Sequence, residues 1–263
     1  MADTIRTRAA LEALLADNTA GDISAQDLRD VLKSTQVVSK LDKIVTVATS
    51  GGDYTSIQSA INSISDAAID KIYTVLVYSG EYDEAITLSN YVNIVAIDPE
   101  ATKILQQVSD NNVECNCYLN INIESVSGYG LYTQHANTVI TMDGDISSSN
   151  DIGLNCYGGI LTISGNISSS AERGVNCAGG TLTIKNNTIT TTYNDVTGHA
   201  IAKVGGTLIL QNVKIICTHV NVKSITAPIA QDVYCMSVWA NRDDSADITQ
   251  MIAGGFNFDA NVQ

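Results

Sequence analysis

Asp143 and Asp145, on either side of Gly144, are the closest carboxylate pair in the regular part of this 263-residue chain. Such a pair can divide acid and base roles at a glycosidic bond or hold a divalent cation. One repeat later, the matching places hold Ser164 and Asn166 around Gly165, and then Asn186 and Asn187. Asp and Asn exchanging beside glycine is turn chemistry, so the pair reads as one step of a turn ladder. Arg173 is more than one repeat away in sequence. Glu81, Asp83 and Glu84 crowd one turn and read as solvated, and Asp243, Asp244 and Asp247 follow Arg242 as a surface cluster. His135, His199 and His219 show neither metal-ligand spacing nor a Ser-His-Asp order. The six cysteines include no Cys-x-x-Cys. Cys115 and Cys117 lie two apart, on one face of a strand, and all six read as buried, reduced thiols. No catalytic set, cofactor site or metal site is expected.

The elements that carry these residues repeat. Ile160-Leu161-Thr162-Ile163, Thr181-Leu182-Thr183-Ile184 and Thr207-Leu208-Ile209-Leu210 each follow a glycine pair, Gly158-Gly159, Gly179-Gly180 and Gly205-Gly206. The steps are 179 − 158 = 21 and 205 − 179 = 26 residues, the extra five fitting a loop near 191–196. Val139 to Ile146 matches Ile160 to Ile167, again 21 residues apart. Short strands at this period predict a solenoid, an all-β parallel β-helix from about Tyr73 to Cys217. Alternation sends Leu161, Ile163, Leu182, Ile184, Leu208 and Leu210 inward and Thr162, Thr183 and Ile209 outward. A second ladder is expected from Ile146, Ile167, Ile189 and Val213. Asn155-Cys156 and Asn176-Cys177 fall in register, with Asn116-Cys117 read as the same element earlier in the stack.

Around the stack, three regions are expected. Residues 1–40 read as two short amphipathic helices, an anchoring segment with apolar positions Leu14, Leu15, Ile23, Leu28, Val31 and Leu32. Residues 41–224 form the β-helix. Its capping helix, 56–65, has Ile57, Ala60, Ile61 and Ile64 on one face. Residues 225–263, where the pattern fades, form a C-terminal cap or subunit contact, with Tyr234 to Trp239 as a last strand. The net charge of −14 opposes nucleic acid and anionic membrane as partners. No apolar run approaches the roughly 20 residues of a membrane span, and the N-terminus has no signal-peptide core, so assembly in a cytoplasm is expected.

Two stretches resemble known families. Asp53-Tyr54-Thr55-Ser56-Ile57-Gln58-Ser59-Ala60-Ile61, followed by Tyr73 to Glu84 with its Gly80-Glu81-Tyr82 turn, resembles the start of pectin-lyase-like right-handed β-helix proteins such as pectin methylesterases. The resemblance covers about 45 residues and implies fold more than function. Enzymes of that fold carry their catalytic groups on the outer face of the turns, and none of their sets is matched here. The run from Leu14 to Asp30 resembles a segment near the start of tailed-phage fibre and spike proteins. That resemblance implies a virion component, attached through its N-terminal helices to other virion proteins. It also implies a homotrimer that projects from tail or capsid and meets a host-surface glycan. The rival readings are a short tailspike enzyme that cleaves surface polysaccharide and a bacterial surface solenoid that binds carbohydrate.

Overall fold

In the computed structural model, residues 43–192, 199–217, 223–226, 233–236 and 238–240 are described. The expected anchoring helices, with Leu14, Leu15, Ile23, Leu28, Val31 and Leu32, lie outside the described residues, as does the tail beyond 240. Strand β1 (Ile44–Val47) and helix α1 (Ile57–Asn62) come first. The first turn is β2 (Tyr73–Val77), β3 (Gly80–Tyr82) and β4 (Ile86–Thr87). The second is β5 (Val92–Ala96), β6 (Thr102–Ile104) and β7 (Val108–Ser109), and the third β8 (Asn116–Asn120), β9 (Asn122–Ser125) and β10 (Leu131–Thr133). Then come β11 (Val139–Met142), β12 (Ile146–Ser148) and β13 (Leu154–Cys156), followed by β14 (Ile160–Ile163), β15 (Ile167–Ser169) and β16 (Val175–Cys177). Two long strands, β17 (Thr181–Thr191) and β19 (Thr207–Cys217), each serve two faces and alternate with β18 (His199–Lys203) and β20 (Lys223–Thr226). β21 (Val233–Met236) and β22 (Trp239–Ala240) close the described stack by pairing with β19.

Every pairing between these strands is parallel, and the chain is an all-β parallel solenoid of about six turns. The first face stacks β2, β5, β8, β11, β14 and the front halves of β17 and β19. The second stacks β3, β6, β9, β12, β15 and the back halves, which joins both faces into one 15-stranded sheet. The third is a separate seven-stranded sheet from β4 to β20. Gly80-Glu81-Tyr82, expected as a turn, is strand β3, paired with Thr102-Lys103-Ile104.

Side chains stack on their counterparts. Ile140, Leu161, Leu182 and Leu208 form one buried ladder on the first face, and Met142, Ile163, Ile184 and Leu210 another. On the second face Ile123, Ile146, Ile167, Ile189 and Ile215 align, each 1% exposed or less. Val213, expected in this ladder, pairs with Asn187 instead. The cause is one inserted residue. The step from Ile163 to Ile184 is 184 − 163 = 21, but from Ile167 to Ile189 it is 189 − 167 = 22. Asn186 takes up the extra residue at φ 55°, and Asn212 repeats the bend at φ 52°. Asn tolerates this left-handed conformation better than most residues. Asn212 Nδ2 donates to Asn186 Oδ1 at 3.1 Å, so the two bends are tied together.

Helix α1 is shorter than the expected 56–65. Ser56 caps it by accepting from Ser59 N–H at 3.1 Å. Its buried residues Ile57, Ala60 and Ile61 join the core beside Val75 and Ile86 of the first turn. At Gly165 the turns approach so closely that an added Cβ would lie 1.9 Å from Gly144 O; at Gly144 it would lie 2.0 Å from Ile121 O. Gly165→Ala must therefore push two turns apart. We expect a loss of about 3 kcal/mol in urea unfolding, and a loss under about 0.5 kcal/mol would refute the tight stacking at this corner.

Candidate functional site

The aspartates that opened the sequence reading are occupied by the fold. Asn122 Oδ1 accepts from Asp145 N–H at 2.9 Å, Asp145 Oδ1 from Asn166 N–H at 2.7 Å, and Asn166 Oδ1 from Thr188 N–H at 3.0 Å. The turn ladder is real, but its last step is Thr188 rather than Asn187, for the reason given above. Asp143 accepts from Tyr118 OH at 2.7 Å. Burial and that bond push the Tyr118 phenol up to about 12.

Glu84 is not a solvated bystander. Its carboxylate accepts from Ser56 Oγ and Ile57 N–H, both at 2.6 Å, and from Gln58 N–H at 3.1 Å. It thereby fastens the free N–H groups that open α1 to the first turn. Asp83 accepts from Gln106 Nε2 at 2.6 Å. His135 sits in a loop, where its Nδ1 accepts from Asn137 N–H at 3.3 Å. Asp243, Asp244, Asp247 and His219 lie outside the described residues.

The sequence reading missed Asp110, which is fully buried. Its carboxylate accepts from the N–H groups of Asn112, Gln134 and His135 at 2.9–3.0 Å and from Thr138 Oγ1 at 3.0 Å. Four donors pay out its charge-assisted bonding capacity and pin two successive corners together, which is a structural duty. No periodic signal announces it, because neither neighbouring turn repeats the residue.

The described cysteines are free thiols. Cys156 and Cys177 stack in register, as expected. Asn116-Cys117 does not belong to that element: it pairs with Val139-Ile140 on the first face, whereas Asn155-Cys156 lies on the third. The dipeptide recurs by coincidence, since strand pairing rather than residue identity sets the face. Cys156 Sγ lies 3.5 Å from Gly158 O and 3.4 Å from Gly179 O, and Cys177 Sγ 3.5 Å from Gly205 O. The thiols thus bind the carbonyls of the glycine-pair corners.

What remains uncommitted to folding is a patch on the outside of the third face. Tyr132, Asn155 and Asn176 occupy one outward column on β10, β13 and β16. Tyr132 meets Tyr129 with ring centroids 4.9 Å apart and Tyr157 edge-on at 5.9 Å. Tyr157 is 52% exposed. Asn176 Nδ2 donates to Asn155 Oδ1 at 2.9 Å, and Asn176 Oδ1, in a residue only 6% exposed, has no hydrogen-bond partner. Asp151 and Glu172 lie 21 residues apart, the same offset that pairs Ser148 with Ser169 and Leu154 with Val175, so they hold the same place in successive corners. Burial and then the Asp151 carboxylate raise the Tyr129 phenol above its ordinary value, with Tyr157, Tyr132 and Glu172 adding to it. This second carboxylate pair is 21 residues apart in sequence, so only stacking reveals it. Among the described residues no group of three or more His, Cys, Asp or Glu is placed to hold a metal ion, and no helix is long and apolar enough to cross a membrane.

Compared with protein families, characterised proteins and solved structures, the chain finds no match.

Burial raises the thiol of Cys156 to about 11 and those of Cys115 and Cys177 to about 12. A thiolate is the reactive form, so these groups are inert near neutrality. We expect no labelling of the three by a thiol-specific disulfide reagent at pH 8 in the native state, and full labelling in urea, read by peptide mass mapping. The sign for stability follows from the raised values. The contribution is complete below the unfolded value near 9.0 and is lost as pH rises toward 11–12. Rapid native labelling would contradict the burial.

Proposed function

We propose that this protein is a non-enzymatic structural component of a bacteriophage particle: a right-handed β-helical fibre or spike, held by its N-terminal helices and used for adhesion to the host surface. The observation that carries this reading is the run from Leu14 to Asp30, with its resemblance to the attachment segment of tailed-phage fibres, followed in the same chain by a stacked solenoid. A β-solenoid suits the task because its hydrogen bonds run along the stack axis, which makes a stiff rod. Parallel crossovers are right-handed in nearly all sheets, which supports that hand here. The acidic balance of −14 keeps a protein present in many copies soluble.

In this reading the rods assemble as homotrimers that cover one another's flanks, and Leu14, Leu15, Ile23, Leu28, Val31 and Leu32 provide the apolar faces that grip other virion proteins. Two measurements test it. Light scattering at micromolar concentration is expected to give three times the chain mass of 27.9 kDa, and a monomer would sink the trimer. Immunogold electron microscopy of particles is expected to place the protein on tail or capsid. Particles without label would sink the virion role.

A second reading, a tailspike enzyme that cleaves polysaccharide, draws support from Asp151 and Glu172, since adjacent corners bring two carboxylates near one aromatic residue. Release of reducing ends from host capsule that is lost in Asp151→Asn or Glu172→Gln would establish it. No release over a day would leave adhesion as the role.

A further inference from the structure

We propose that the tyrosine patch on the third face is a carbohydrate-binding site for an uncharged oligosaccharide of pyranose sugars. This deepens the adhesion reading above and rests on it for its biological meaning.

The argument starts from what the patch exposes. Tyr129, Tyr132 and Tyr157 are in mutual ring contact, and Tyr157 keeps half its surface in water although it lies beside a packed cluster. Rings fixed by their neighbours lose little entropy when a ligand lands on them, and each offers a flat apolar surface with a polar tip. The C–H face of a pyranose ring has the matching shape and polarity. A protein or peptide partner would also value aromatic rings, but the surrounding groups favour a sugar. Asp151 and Glu172 supply carboxylate acceptors beside Tyr129, and hydroxyl-to-carboxylate bonds are stronger than neutral ones. The amides of Asn155 and Asn176 run along the same column as Tyr132, and the carbonyl oxygen of Asn176 lacks a partner. Buried polar atoms normally have one. A few polar groups converging beside aromatic surface is the make-up of small-ligand sites.

Charge selects the class of sugar. Two carboxylates at the patch and a net charge of −14 repel uronic or sialic acids, so the ligand is uncharged. The repeat adds a geometric match: Asp151 and Glu172 are one turn apart, about 4.8 Å along the stack, close to the length of one sugar unit. A linear chain lying along the axis would therefore meet equivalent acceptors at successive residues.

The test uses the full chain and defined probes: cellohexaose, chitohexaose, maltohexaose and mannohexaose, with oligogalacturonate and oligosialate as acidic counterparts. Binding is followed by titration calorimetry and by saturation-transfer NMR. At least one neutral hexasaccharide is expected to bind, and neither acidic one. Tyr157→Ala should weaken binding about tenfold, the equivalent of one lost aromatic contact, and Tyr157→Phe should retain it. Glu172→Gln should weaken the neutral ligand several-fold. Because Tyr157 is exposed, an unchanged melting curve is expected for its variants, which separates loss of binding from loss of fold. No binding of any neutral probe at 10 mM (on the order of the weakest useful lectin affinity) overturns the site, as does tight binding unaffected by Tyr157→Ala. The outcome is separable from the virion role. A purified chain that binds sugar but never labels particles keeps the site and removes the phage reading, and a labelled particle whose protein ignores all four neutral probes does the reverse.

Discussion

Parallel, in-register stacking of one turn on the next is the constraint on which everything else depends. Neighbouring strands sit about 4.8 Å apart, so a residue in one turn lies directly over its counterpart. An aliphatic side chain then packs on another aliphatic side chain, as Ile123, Ile146, Ile167, Ile189 and Ile215 do. The same rule governs polar groups. Ser148 Oγ donates to Gly128 O at 2.8 Å and Ser169 Oγ to Asp151 O at 2.6 Å, each hydroxyl tying its own corner to the one before. Thr191 continues this with Glu172 O at 2.9 Å. Inside the stack, polar residues are tolerated where the repeat hands each of them a partner.

Close stacking also explains the glycines. Where corners touch through backbone, as at Gly144 and Gly165, no side chain fits. In the glycine pairs the second residue has φ of +86°, +67° and +65°, so conformation adds to the steric demand. Thiols rather than larger residues stand beside these corners because a sulfur is small enough to remain inside and still reach a carbonyl. Cys156 and Cys177 therefore belong to the architecture, and their raised thiol values follow from burial.

A stack has two ends, and its open strands would pair with other chains. At the first turn, β1 lies beside β2, and α1 packs its apolar side on the same turn. Glu84 makes that packing specific, since a carboxylate from the first turn holds the start of the helix. An acid near the beginning of the repeat thus does structural work. The acids of the third face, Asp151 and Glu172, stand beside aromatic rings. Residue type is the same in both cases; what differs is which backbone the stacking places opposite.

The sequence by itself determined the period, the glycine-pair corners, the inward Leu and Ile ladders of the first face and the stacked cysteines 156 and 177. These are legible because each turn repeats the same residues at nearly the same spacing. Tertiary structure decided whatever depends on a single inserted residue or on contacts across turns. The bend at Asn186 moved Val213 opposite Asn187 and Thr188 into the turn ladder, and pairing moved Cys117 to the first face. Asp110 and the patch of Tyr129, Tyr132, Tyr157, Asp151 and Glu172 were likewise hidden, because their members lie in different turns and share no motif. A period of 21 residues is visible along the chain, whereas the neighbours it creates exist only once the turns are stacked, and that is where the candidate site resides.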